Sequence, residues 1–170
     1  MKERQKQMKR CFWANPKNPL YIKYHDEEWG QPVHDDSKLL ELLILECFQA
    51  GLSWECVLNK RETFRAAFDG FDRDAILAYD EIKVDELMST SGIIRNRAKI
   101  KAAISNTSVF KSIQEEFGSF DAYISGFCPK EPIFDHTSTT STISDALSAD
   151  LRKRGMKFVG STTIHAFLQS

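Results

Sequence analysis

The sequence predicts an all-α domain, and three observations carry that expectation. Apolar residues recur at helical spacing along most of the chain. No run of four or more β-formers alternates with polar residues, so strand signals are nearly absent. Serine, aspartate and glycine fall where helices start and stop. At 170 residues the chain amounts to one domain, long enough to bury a core without disulfides or metal. Hydrophobic residues make up 42%, with only 8 Gly and 5 Pro, which excludes a disordered or fibrous composition. There is no internal repeat and no low-complexity segment.

The elements follow in order. Residues 1–10 are expected to be a disordered leader. Residues 1–35 read as mostly irregular but aromatic, with Phe12, Trp13, Tyr21, Tyr24 and Trp29 set among the breakers Pro16, Pro19 and Pro32. Asp36 or Ser37 caps a helix running to about Ala50, and Gly51 supplies the left-handed position that ends it. Ser53 caps a second helix through Trp54, Val57, Leu58, Phe64 and Phe68, which stops at Asp69-Gly70. Short helices are expected from Asp72 to about Tyr79 and from Val84 to Met88. Ser91-Gly92 makes a tight turn, and Ile93-Ile94-Arg95 opens a longer helix reaching about residue 109. Gly118 separates further helices near 111–117 and 119–126. Residues 127–143 form a loop rich in Pro, Ser and Thr. Ser144 caps a helix ended by Gly155, and a last helix starts at Thr162. The chain stops at Phe167-Leu168-Gln169-Ser170, inside an apolar helical pattern, so it is expected to end short of a full design.

Several classes are excluded. The apolar stretch Leu39–Leu45 stops at Glu46, far short of the roughly 18 residues of a membrane span. The polar start has no apolar run behind it and is no secretory signal. Cysteines at 11, 47, 56 and 128 lack paired spacing, which points to a reducing cytoplasm. Net charge is −1, so any nucleic-acid surface is a local patch.

Four signals bear on chemistry. Glu46 sits where apolar residues occupy every face of its helix, and a lone buried carboxylate is costly unless it is paired or meets a ligand. It serves either as half of a salt bridge or cap, or as the floor of a pocket selecting a cation or amino group. Gln49-Ala50-Gly51-Leu52-Ser53-Trp54 is a corner presenting Leu52 at its tip, as a core plug or as a wedge for the gap left by an extruded base. Trp54 can wall the same pocket. Residues 84–109, with Arg95, Arg97, Lys99 and Lys101 after Gly92, have the shape of a helix–hairpin–helix. That is either a phosphate grip at a helix N-terminus or a solvated basic face. Cys11 and His25 are zinc-type ligands, but two ligands do not make a site. Cys47 and Cys56 read as core; His34, His136 and His165 have no ligand-like spacing. No Asp lies between Ile93 and Glu115, where helix–hairpin–helix glycosylases commonly carry a catalytic one.

These residues form a recognisable set. Cys11-Phe12-Trp13, Pro19-Leu20-Tyr21-Ile22-Lys23-Tyr24-His25-Asp26, Glu28-Trp29-Gly30, Leu45-Glu46, Gln49 to Trp54, Gly92-Ile93-Ile94-Arg95 and Lys157-Phe158-Val159-Gly160 resemble the DNA-3-methyladenine glycosylase I family, in order from Cys11 to Gln169. The resemblance implies a helix–hairpin–helix glycosylase fold with an aromatic-rich, irregular N-terminal segment. The implied protein is a monomer acting on alkylated double-stranded DNA, away from membranes, and releasing free 3-methyladenine. By the same pattern Glu46 and Tyr24 contact the flipped base and Trp54 stacks on it, while Trp13, Tyr21 and Trp29 complete the pocket. Gly51 and Leu52 fill the vacated site, and Gly92, Ile93, Ile94 and Arg95 hold the backbone. The family lacks the usual catalytic Asp. Its structural zinc would take Cys11 and His25, but its second pair of ligands is expected beyond the end of this chain, leaving a half-site. The alternative functions are a non-catalytic DNA-binding module of the same shape and a structural zinc protein that completes its site in trans.

Overall fold

The computed structural model describes residues 10–131, 133–134 and 137–170. The expectations for residues 1–9 and for His136 lie outside them. Among the described residues there are ten α-helices and no strand: α1 (Pro19–Glu27), α2 (Asp36–Gln49), α3 (Trp54–Leu58), α4 (Arg61–Ala67), α5 (Arg73–Leu77), α6 (Glu81–Ser89), α7 (Arg97–Phe117), α8 (Phe120–Ser125), α9 (Thr142–Lys153) and α10 (Ser161–Gln169). None is long and apolar enough to cross a membrane.

The fold is built around α2, which packs against α3, α7, α8 and α10. Leu39, Leu40, Leu43, Ile44, Leu45, Cys47 and Phe48 are buried around its whole circumference. On one side Phe48 meets Phe64 and Phe68 of the α3–α4 region, with ring centroids 4.8 and 5.8 Å away. On the other, Phe110 of α7 stacks on Phe120 of α8 at 4.1 Å. Both ends of α2 are tied to other elements. Its first residue, Asp36, accepts from the Phe120 and Asp121 N–H groups at 2.8 and 3.0 Å and from Gln114 Nε2 at 2.6 Å. That engagement explains why Asp35, not Asp36 or Ser37, is the cap of α2.

Other departures from the expected elements have local causes. The segment 1–35 is not mostly irregular, because Pro19 opens α1. Pro is pre-set for the first helical turn, and Asn18 ahead of it accepts from the Leu20 and Tyr21 N–H groups. The expected helix 54–68 is two, broken at Asn59, whose side-chain oxygen turns out to accept from Asn18 Nδ2 at 3.0 Å. Arg10, placed in the disordered leader, is held by Asp26 at 2.6–3.0 Å. Ile93-Ile94-Arg95 does not open a helix; Ile93 is buried as the anchor of the hairpin, and Asn96 caps α7 by accepting from the Lys99 N–H. α7 then runs unbroken to Phe117, absorbing the two helices expected there. Ser141, not Ser144, caps α9, with reciprocal hydrogen bonds between the two. Cys56 is only half-buried rather than core.

The hairpin between α6 and α7 demands glycine at 92 twice over. Its φ is +89°, and a Cβ there would lie 2.9 Å from Thr63 Cγ2 of α4. Gly92→Ala is expected to cost about 1–3 kcal/mol in urea unfolding. Adding Thr63→Ala recovers the steric part and leaves the φ part. A Gly92→Ala variant as stable as the parent contradicts this packing.

Candidate active site

The aromatic cluster is assembled by hydrogen bonds that bring the N-terminal segment onto α3. Asn15 Nδ2 and Asn18 Nδ2 both donate to Glu55 Oε1, at 2.9 and 2.8 Å. Ser53 accepts from the Cys56 N–H at 3.2 Å, starting α3 with Trp54 as its first residue. Tyr21 and Tyr24, three apart on α1, then share the face turned toward Trp54. Tyr24 and Trp54 lie 5.4 Å apart between centroids, and Tyr21 lies 6.4 Å from Tyr24. Trp13 extends the cluster to Tyr21 at 5.4 Å and to Trp29 at 5.0 Å. All five expected pocket rings are thus contiguous. A flat ring sandwiched between Tyr24 and Trp54 would need about 7 Å, twice a carbon contact of ~3.5 Å, more than their 5.4 Å centroid separation.

Glu46 lies beneath that cluster, on α2, and is 2% exposed. It forms no salt bridge and no cap: its Oε2 meets no donor among the described residues. The structure therefore removes the first of its two readings. Burial alone pushes the carboxyl up to about 8. Burial raises the Tyr24 and Tyr21 phenols, and the Glu46 carboxylate adds to the rise in both. The Trp54 indole N–H is likewise buried without an acceptor. A buried unmet acceptor on α2 and a buried unmet donor on α3, with aromatic rings packed on Trp54, suit a flat ligand carrying both amino and ring-nitrogen groups.

Gly51 ends α2 with φ +80°, and Leu52 beyond it is 43% exposed, so Leu52 is no core plug. Three of the four basic residues after Gly92 are exposed, Arg95, Arg97 and Lys101, and two of these are ion-paired. Arg97 is paired with Glu81 and Asp85 of α6, and Lys101 lies 2.6 Å from Glu81. Lys99 is 7% exposed and turned inward, donating to the Phe48 and Ala50 carbonyls at 2.8 and 2.5 Å. Of the four, Arg95 alone is exposed and without an ion pair among the described residues. Reading the sequence missed both this use of Lys99 and the buried Asn106, which brackets Lys157 by donating to its carbonyl and accepting from its N–H, each at 2.8 Å. Neither carries a local signal, since partners lie some fifty positions away.

Cys11 and His25 are neighbours, but their contact is a hydrogen bond. The Cys11 N–H donates to His25 Nε2 at 3.2 Å, leaving Nδ1 as the donor to Asp26 at 2.9 Å. His25 also lies against Trp13 and Trp29, at 5.1 and 5.7 Å. Among the described residues no three His, Cys, Asp or Glu side chains gather as a metal requires, so the residues present do not fit a zinc ion by themselves. His34 pairs with Asp121 at 3.0 Å. A cavity of about 510 Å³ opens beside Tyr24, and in its lining Arg61 is paired with Glu28 and Arg65 with Glu41. A larger one of about 690 Å³ lies between α6 and α7 and shares no residue with the Glu46 cluster.

The Glu46 carboxyl ties stability to pH. In the native protein it keeps its proton to about pH 8, against an ordinary value of 4.5. Its contribution is therefore fully present below the unfolded value and is lost as pH rises through about 8. Glu46→Gln is expected to flatten a decline of roughly 3–5 kcal/mol across that window, read from urea midpoints. Identical slopes in the two proteins overturn the assignment.

The sequence pattern of the methyladenine glycosylases matches residues 13–170. The chain is 43% identical over 169 residues to the DNA-3-methyladenine glycosylase 1 of Escherichia coli K12, covering 96% of this chain and 90% of that one. Its structure is similar to the crystal structure of a 3-methyladenine DNA glycosylase I (TAG), with TM-score 0.90, 43% identity, and 95% and 91% of the two chains covered. It is also similar to a tyrosine-to-phenylalanine variant of TAG in complex with 3-methyladenine, with TM-score 0.87, 32% identity and coverage of 95% and 90%. With its helices and its aromatic cluster in place, this chain belongs to the methyladenine glycosylase family.

Proposed function

We propose that this enzyme hydrolyses the N-glycosidic bond of 3-methyladenine in alkylated duplex DNA after drawing the base into the cluster above Glu46. The observation that carries the reading is the Glu46 carboxyl group, buried with its Oε2 unpartnered on the helix that packs against the Trp54 helix. Methylation at N3 gives adenine a positive charge. A cation brought to Glu46 supplies the missing counter-charge and, through its amino group, a hydrogen bond. Neutral adenine supplies only the second. Tyr24 and Trp54 add cation–π attraction of order 0.5–2 kcal/mol each.

The chemistry asks little more of the protein. The C1′–N9 electron pair goes to the base, which leaves neutral; water adds at C1′, and its proton passes to solvent. The absence of an aspartate between Ile93 and Glu115 agrees with catalysis by capture of an already activated leaving group. Leu52, exposed at the tip beyond Gly51, fills the space the base vacates, a step whose cost is least at a damaged pair. The hairpin at Gly92, with its backbone N–H groups and Arg95, holds the DNA backbone. Cys11 and His25 offer two of the four donors a structural zinc takes, and no metal is assigned a role.

The test is release of free base from methylated DNA, resolved by chromatography. The expected product is 3-methyladenine without 7-methylguanine. DNA binding without release contradicts the reading and favours a non-catalytic module. Glu46→Gln is expected to lower kcat/KM by 100-fold or more and to weaken binding of free 3-methyladenine, with the fold retained. Because a fixed cation prefers the ionised carboxyl, kcat/KM of the parent is expected to rise with pH toward a plateau above about 8. A flat parent profile, or equal base affinity in the two proteins, refutes the role given to Glu46.

A further inference from the structure

A buried cation, Lys99, links the end of the helix before the Leu52 tip to the start of the helix after the hairpin at Gly92. Lys99, in the first turn of α7, reaches across to the end of α2 and donates to the Phe48 and Ala50 carbonyls at 2.8 and 2.5 Å. These are among the last carbonyls of α2, which have no partner within the helix. The same residue's N–H is fixed by Asn96, the cap that closes the hairpin, at 3.1 Å. The aromatic ring of Phe158 covers the ammonium at 5.8 Å. Phe158 takes a backbone φ of +57°, and its neighbours are pinned on both sides. Asn106 brackets Lys157, and Ser148 Oγ donates to the Val159 carbonyl at 2.6 Å. Strain of this kind persists only where the surroundings over-determine it, and here the surroundings hold a ring over Lys99.

We infer that Lys99 is a positioning residue for base extrusion, locking the Leu52 tip to the hairpin so that wedge and backbone grip act at a fixed separation. The inference rests on the function proposed above. Two physical effects support it. The charged donor satisfies the carbonyls three and one residues before Gly51, so the tip starts from a closed helix end and not a frayed one. The positive charge also offsets the partial negative charge at the C-terminus of α2, which the approaching phosphates would otherwise meet. Lys99 touches no ligand in this account; it acts through the backbone at Gly51 and Leu52.

The test is a double-mutant cycle on intact protein with methylated duplex DNA, alongside binding of free 3-methyladenine. Lys99→Met is expected to leave free-base affinity within threefold, because Glu46 and the rings are untouched, and to lower kcat/KM for base release tenfold or more. In a Leu52→Ala background the same change is expected to cost less than threefold, because the wedge it positions is gone. Additive losses in the cycle overturn the inference, as does unchanged release by Lys99→Met. Loss of free-base binding in Lys99→Met also overturns it, since Lys99 then holds up the pocket and not the wedge. No release by the unmodified protein removes the underlying function; release with additive losses removes the positioning role alone.

Discussion

The rest of the site depends on keeping a carboxyl group dry. Glu46 is 2% exposed on a helix whose neighbours Leu43, Ile44, Leu45, Cys47 and Phe48 are all buried. Removing a carboxylate from water without a partner costs several kcal/mol. Each large apolar side chain buried around it contributes about 1.5–3 kcal/mol. The core can therefore absorb the cost, and the free protein lowers it further by keeping the proton. What a structural role would require, a salt bridge or a capped N–H, is missing. An uncompensated polar group in an otherwise well-satisfied core is where a ligand's own charge has most effect.

A dry carboxyl is useful only if the groups around it are held still. α2 achieves this by being fixed at both ends by contacts outside itself. Asp36 ties its start to α8 and to Gln114 of α7, and Lys99 closes its end. The aromatic wall comes from a different direction. Two asparagines of the N-terminal segment converge on Glu55 Oε1, carrying Trp13, Tyr21 and Tyr24 onto α3. Rigid helix and anchored segment meet at Tyr24 and Trp54. The Leu52 side chain is left exposed beyond the last turn of α2, on a helix end that Lys99 closes.

The fold class was legible because helical spacing and caps are local signals, and the site was legible where a residue contradicted its own surroundings. Glu46 in an apolar helix and Leu52 on a glycine-bearing tip are both anomalies of that type. Residues whose meaning depends on a distant partner were not readable. Lys99 looks like any lysine in a basic run until the end of α2 is found beneath it. Arg97 and Lys101 look like phosphate ligands until Glu81 and Asp85 of α6 appear beside them. Pro19 reads as a breaker because a proline that starts a helix and one that ends a helix are the same residue. Only the Asn18 cap tells them apart. Cys11 and His25, fourteen positions apart, lie together with the Cys11 N–H donating to His25 Nε2, a proximity that no local signal announces.

Selectivity on the proposed reading follows from the proton on Glu46, not from shape alone. Below about pH 8 the empty site holds a neutral carboxyl, and a neutral base entering it gains packing and a hydrogen bond but no charge pairing. A cationic base favours the ionised form and expels the proton on binding. The free energy of that expulsion is subtracted from the affinity, about 1.4 kcal/mol for each pH unit below the carboxyl's own value. One pH unit below that value the cation loses about tenfold, while the Coulombic attraction in a desolvated site is several times larger. Discrimination therefore survives at neutral pH. The arrangement also guards the neutral bases of intact DNA, since flipping one costs a few kcal/mol and the charge of Glu46 returns nothing for it. A permanently ionised carboxylate, paired with a lysine or arginine, would have given up this distinction, because a pre-paired anion has little attraction left for an incoming cation.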